Sequence, residues 1–385
     1  MRLRERRHVA ERHTMWTVDE DALERIAIGA GILGTGGGGN PYLGKLHAQL
    51  LVAEHGPVKV VDLVDVSDDA FVVSVGGMGA PTVSVERIKQ GDEELIALRA
   101  LEHHVGRRCT HLVPGEIGGS NSTRPIAVAA RTGLPLVDAD PMGRAFPELQ
   151  MCTFAIYGVS LTPAVLADPH GQVAIFETGD AVTLERYARA VTIQMGGAAG
   201  YAFPPMSGAD LKRTAIGGTV TLATRVGEAV IEARTRHLDP VDAVLAVVGG
   251  QRLFTGKIVD VERRLVGGFA RGVLQLEGVG DAAGRILRID FQNENLIARS
   301  GEGEVLAVVP DLICLVDADT AEPVTTEIVR YGMRVVVLGI PAPALLKTSQ
   351  ALAVIGPQAF GYADVPYVPL AGTYGEGHLA GQDSV

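Results

Sequence analysis

The chain has 385 residues, 47% of them hydrophobic and 21% charged, an ordinary globular composition. That length exceeds the roughly 250–300 residues at which single cores stop growing, so two domains are expected. A formal net charge of −11 repels phosphate backbones and disfavours nucleic acid as a partner, and no apolar run reaches the roughly 18 residues of a membrane span.

Residues 1–14 hold Arg2, Arg4, Arg6, Arg7 and Arg12 without an apolar segment. They read as a disordered basic extension ahead of Met15 rather than a signal peptide. From there the pattern predicts helices over Asp19–Leu33 and Tyr42–Glu54, then short strands over Val58–Leu63 and Ala70–Val75. A helix over Glu93–Val105, a strand at His111–Pro114, a helix over Thr123–Thr132 and a strand at Leu136–Asp138 follow. Strand, glycine loop, helix and strand in succession is the pattern of βαβ units and a mostly parallel sheet, whose ligands sit at the carboxyl ends of strands.

A capped helix start at Thr178-Gly179-Asp180 and a long helix within Arg213–His237 come next. Beyond it, closely spaced β-like runs take over, at Lys257–Val261, Arg271–Glu277, Arg285–Phe291, Val305–Val309, Leu312–Val316 and Arg334–Leu338. The expected fold class is therefore α/β: an N-terminal domain over 15–185 with a mostly parallel sheet, and a β-rich C-terminal domain over 186–385. Three widely spaced cysteines, Cys109, Cys152 and Cys314, with no CxxC pair, argue for a reducing, cytoplasmic compartment and against a disulfide framework or a zinc knuckle. Cys314, in an apolar run, reads as a buried thiol.

Four segments carry the residue types that chemistry needs. Gly34-Thr35-Gly36-Gly37-Gly38-Gly39-Asn40-Pro41 leaves backbone N–H groups open to a ligand, and a helix N-terminus follows. It lacks the Gly-Lys-Ser/Thr of a P-loop, and a helix rather than a strand precedes it, so no nucleotide cofactor is expected. The alternative is a tight helix–helix turn. Pro114-Gly115-Glu116-Ile117-Gly118-Gly119-Ser120-Asn121-Ser122 lies between a strand and a helix. Glu116 projects from it, with Ser120 and Asn121 as polar partners or simple helix caps.

Asp138-Ala139-Asp140-Pro141-Met142-Gly143-Arg144 places two carboxylates on one side of a strand end. Together with Glu116 they are expected to converge, dividing acid and base roles or holding a divalent ion. Arg144 would pair with one of them or with an anionic substrate. The alternative for Asp140 is a helix cap before Pro141, and for Asp138 a buried hydrogen bond. Gln194-Met195-Gly196-Gly197-Ala198-Ala199-Gly200-Tyr201 is either a lid over the site or a packing turn of small residues. No HExxH helix and no GxSxG elbow are present.

The polyglycine segment, Gly115-Glu116-Ile117-Gly118-Gly119-Ser120-Asn121, the block Asp138–Glu148 and Pro310-Asp311-Leu312-Ile313 carry a resemblance. From about Met15 onward the chain is similar to a family first catalogued as a domain of unknown function beside hydantoinase and oxoprolinase proteins. That family is associated with S-methyl thiohydantoin desulfurase. The resemblance implies a two-domain fold, hydrolytic release of methanethiol to leave a hydantoin, and a zinc ion whose ligands it does not assign. Glu116, Asp138 and Asp140 are then the candidates for base, acid or metal ligand. Gly36, Gly37, Gly38, Gly39, Asn40, Ser120, Asn121, Arg144 and Gln194 are the candidates for substrate contact. The alternatives are a non-catalytic partner subunit of a hydantoinase- or oxoprolinase-type complex, or a hydrolase of the hydantoin ring itself. The expected partner is a small molecule, with no nucleic acid and no membrane, in a homo-oligomer that can associate with hydantoinase-type proteins.

Overall fold

A computed structural model describes residues 16–79, 83 and 91–376. The basic extension predicted over 1–14 lies outside the described residues. In chain order the first elements are β1 (Trp16–Val18), α1 (Glu20–Leu33), α2 (Pro41–His55), β2 (Val58–Asp62) and β3 (Phe71–Gly79). Next come α3 (Glu93–Val105), β4 (His111–Pro114), α4 (Arg124–Thr132) and β5 (Leu136–Asp140). These follow the sequence pattern closely, and the starts of α1 and α2 have a local cause. The Asp19 carboxylate accepts from Ala22 N and the Asn40 side chain from Tyr42 N, with Pro41 opening α2.

The chain continues through β6 (Ala164–Ala167), β7 (Val173–Phe176), α5 (Ala181–Gln194, capped by Asp180) and β8 (Ala198–Ser207). Then come β9 (Ile216–Gly217), α6 (Thr219–Thr235) and α7 (Pro240–Val248). Among the described residues these strands form one nine-stranded sheet in the order β1-β2-β5-β4-β3-β8-β6-β7, with β9 paired to β5. The parallel arrangement read from the sequence is its centre: β2 with β5, β5 with β4, and β4 with β3. Antiparallel strands extend it on both sides.

The remaining strands are β10 (Gln251–Val266), β11 (Phe269–Gly278), β12 (Ile286–Gln292), β13 (Glu294–Ser300), β14 (Val305–Val308), β15 (Leu312–Asp317) and β16 (Arg334–Ile340). They build a seven-stranded antiparallel sheet in the order β14-β13-β12-β11-β10-β16-β15. The short alternating runs in the sequence foretold it.

The two sheets share a core. Leu312, Cys314, Val316, Leu338 and Ile340 of the second sheet pack in one cluster with α1, α6 and the parallel strands. Helices α1 and α6 meet at two glycines. A Cβ on Gly29 would lie 1.9 Å from the Ala223 carbonyl oxygen, and one on Gly227 1.9 Å from that of Arg25. The helices approach closely because neither contact point carries a side chain. Among the described residues no helix is long and apolar enough to cross a membrane.

Candidate active site

A small cleft, with a cavity volume of about 80 Å³, opens at the carboxyl ends of β3 and β4. Its walls come from loops far apart in sequence: Gly38 and Gly39, Gly77 to Gly79, Glu116 with Ser120 and Asn121, and Asn293 with Glu294. Met142, Phe146 and Leu149 supply an apolar side. All four chemistry-bearing segments thus reach one cavity, the one beginning at Gln194 through Tyr201.

Glu116 leaves the end of β4 and is buried. Its Oε1 accepts from Asn121 Nδ2 at 2.5 Å, and its Oε2 from Phe146 N at 3.3 Å. Asn121 is itself fixed on β3, accepting from Gly77 N at 2.8 Å. Burial pushes the Glu116 carboxyl up to about 8, overcoming both hydrogen bonds; the nearby Asp140 charge adds to the rise and Arg124 opposes it. A carboxyl poised there can exchange a proton near neutral pH.

Glu294 begins β13, just after Asn293, which has a positive φ of 57°. The hairpin tip is stitched to its surroundings. Asn293 N donates to Ala270 O, Asn295 N donates to Thr35 O, Thr326 N donates to Gly36 O, and the Thr326 hydroxyl donates to Asn293 O. This stitching drives Glu294 into the interior at 2% exposure, where its Oε2 has no hydrogen-bond partner among the described residues. Burial, and then the charge of Glu116, push its carboxyl well above the usual range. The cleft therefore holds two interacting carboxyls, one from each sheet's end of the chain.

The polyglycine loop contributes through its backbone. Gly38 and Gly39 adopt φ of 74° and 79°, the left-handed region that glycine enters without steric cost. The Gly38 carbonyl accepts from Ser120 N and Ser120 Oγ, which locks the loop onto the Glu116 segment. Among the described residues neither the Gly38 nor the Gly39 N–H donates a hydrogen bond. Two donors are thus left available at the cleft wall.

Other expected contributors sit elsewhere. Asp138 does not join Glu116. Its carboxylate accepts from Val220 N, Thr221 N and the Thr221 hydroxyl, capping α6. Asp140 is fully buried, accepting from Ile117 N, Met142 N and Gly143 N. It braces the loop that carries Glu116 rather than lining the cavity, and burial pushes its carboxyl up to about 6. The three-carboxylate convergence expected from the sequence is replaced by the Glu116–Glu294 pair. The reason is that both aspartates are drawn to unpaired N–H groups, of a helix start and of a turn.

Arg144 is fully buried. It donates to the carbonyls of Ala145, Pro310, Asp311 and Asn295 and to the Thr35 hydroxyl, fastening the second sheet to the first, and its guanidinium lies 4.6 Å over the Phe146 ring. It offers a substrate nothing. Asn40 caps α2 and lines a different hollow, with Lys45 and Thr325. Gly36 and Gly37 lie behind the cleft wall, and Gln194 is exposed at the end of α5.

The implied zinc finds no ligand set. Among the described residues no three His, Cys, Asp or Glu side chains are arranged to hold an ion. The oxygens of Asp138 and Asp140 are committed to N–H and O–H donors, and burial pushes the thiols of Cys109 and Cys314 up to about 12.

Sequence reasoning missed Glu294, Asn293, Arg124 and Arg189, which all line the cleft, and placed Tyr201 only within the segment that begins at Gln194. Arg124 pairs with the buried Glu94, and Arg189 donates to Glu185 Oε1 at 2.7 Å and to the Pro147 carbonyl at 2.8 Å. Gln292-Asn293-Glu294-Asn295, four polar residues between two apolar runs, reads as a solvated hairpin turn. All four are buried, and Asn293 and Glu294 line the cleft.

Two family models match the chain: the S-Me-THD-like N-terminal domain over residues 21–178, and the S-Me-THD-like C-terminal domain over 179–370. No curated protein matches. Among solved structures, the crystal structure of a protein from Chromobacterium violaceum, a target of the Northeast Structural Genomics Consortium, is similar. It is 27% identical, with a TM-score of 0.75, over 92% of this chain and 100% of that one.

Proposed function

The chain belongs to the S-Me-THD-like family, and from that premise we propose that it is a hydrolase releasing methanethiol from an S-methyl thiohydantoin. The observation that supports this reading most is the buried carboxyl pair, Glu116 and Glu294, facing one small cleft. Paired carboxyls with unlike surroundings divide base and acid roles. Glu116 receives two hydrogen bonds, which favour its charged form, and is the base. Glu294, with one oxygen unpartnered, keeps its proton and is the acid.

In the reaction, Glu116 takes a proton from water as the water oxygen bonds to the ring carbon bearing sulfur. The C=N electron pair moves to the ring nitrogen, which receives the Glu294 proton. The ionised Glu294 then takes the intermediate's hydroxyl proton, the C=O bond forms, the C–S bond breaks, and Glu116 returns its proton to the departing methanethiolate, so that both carboxyls regain their starting states. Water is consumed and methanethiol and the hydantoin are formed, with no change of oxidation state. The Gly38 and Gly39 N–H groups are placed to hold the ring carbonyl oxygen.

The test is thiol release from S-methylated thiohydantoins, followed with a thiol-trapping reagent. Glu116→Gln and Glu294→Gln are each expected to lower kcat by about 10²–10⁴-fold, the usual worth of a general acid or base. A folded Glu116→Gln protein with full turnover, or ring opening without thiol, would overturn the proposal.

A further inference from the structure

Tyr201 enters the cleft from β8, directly opposite Gly76 of β3. Its ring lies across that glycine and its hydroxyl reaches the end of β4. A Cβ on Gly76 would lie 2.5 Å from the Tyr201 Oη, and one on Gly115 would lie 1.7 Å from it. Two glycines on neighbouring strands thus clear a slot that a tyrosine hydroxyl fills beside Glu116. Phe203 holds the ring from the other side, with centroids 4.6 Å apart.

The hydroxyl makes no hydrogen bond to any described residue. A buried phenol ordinarily finds a partner, so this one is aimed at something the cleft receives. Burial, and then the Glu116 charge, raise the Tyr201 phenol above its ordinary value. It therefore remains a donor and does not serve as a base.

We propose that Tyr201 is a catalytic residue, whose hydroxyl donates a hydrogen bond to the ring nitrogen that gains charge when water adds to the thiohydantoin carbon. This rests on the hydrolase reading above and deepens it. The hydroxyl stabilises the charge as it forms, while Glu294 supplies the proton. Such a donor strengthens its bond only in the transition state, so it acts on kcat rather than on KM.

The experiment compares thiol release by wild type, Tyr201→Phe and Gly76→Ala, with circular dichroism confirming the fold. Tyr201→Phe keeps the ring and its contact with Phe203. It is expected to lower kcat by about 100-fold, with KM within twofold. Gly76→Ala, which displaces the hydroxyl without removing it, should show a deficit of the same kind. Full kcat in folded Tyr201→Phe, or a loss confined to KM, overturns the assignment while leaving the hydrolase reading intact. A wild-type protein that releases no thiol overturns both.

Discussion

The Glu294 side chain occupies the space beside Gly37. A Cβ on that glycine would lie 1.9 Å from Glu294 Oε1 and 2.6 Å from its Cγ. A glycine in the first sheet's half of the chain is thus a condition for a carboxyl supplied by the second. Any side chain at 37 moves the whole Glu294 arm, not only its tip. Gly37→Ala is expected to cost about 1–3 kcal/mol, as overpacking does. It should also lower thiol release at least tenfold. In a Glu294→Ala background the stability cost should shrink to less than half, which a double-mutant cycle by denaturant unfolding would read. Equal costs in both backgrounds would show that the two residues are not coupled.

The raised Glu116 carboxyl sets opposite pH trends for stability and activity. The folded protein holds this proton up to about 8, whereas the ordinary carboxyl value is 4.5. Between those values the folded state binds more protons than the unfolded one, so stability falls as pH rises and levels off above about 8. Glu116→Gln should flatten that slope by as much as one proton, about 1.4 kcal/mol per pH unit. The wild-type kcat should rise through pH 8 as the base ionises. Urea unfolding and a pH–rate profile measure the two trends, and a wild-type stability that rises from pH 5 to 8 would contradict the assignment.

Asp138 caps α6 and is expected to matter for stability alone. Asp138→Ala should cost about 1–2 kcal/mol, the worth of a lost helix cap. Turnover per folded molecule should be unchanged. Asp138→Asn, which keeps an acceptor oxygen for Val220 and Thr221, should recover most of that loss. A kcat deficit in the stable Asn variant would place Asp138 in the chemistry after all.

Arg144 is the fastening between the sheets. Its removal strands several buried carbonyls and takes from Glu294 the stronger of two neighbouring positive charges, leaving Arg189. Arg144→Ala is expected to destabilise by about 3–5 kcal/mol. The loss should be the same with and without substrate, because the guanidinium does not face the cleft. Thermal unfolding reads both. Destabilisation under 1 kcal/mol would mean that the carbonyls are satisfied without it.

Most of the secondary structure was legible from local signals. Helix α3 spans the predicted residues, and Asp19 and Asp180 cap the helices that their positions suggested, whereas Asn40, expected at the substrate, caps α2. Strand β8 escaped notice because Ala198-Ala199-Gly200-Tyr201 shows no alternation. It is buried along most of its length, and its glycine lies against α3 rather than at a turn. Strand β13 escaped because its polar start resembles a solvated turn.

Glu116, Ser120, Asn121 and the glycine loop could be singled out from the amino-acid order alone, because glycine density and strand-end position are local properties. Which carboxyl partners Glu116 could not be read that way. Asp138 and Asp140 are near in sequence, but helix and turn N–H groups claim them, whereas Glu294, from the opposite half of the chain, is carried in by a hairpin. Pairing between such distant groups depends on how two sheets pack and on which buried oxygens remain unsatisfied. Those are properties of the assembled core, and no short stretch of residues contains them.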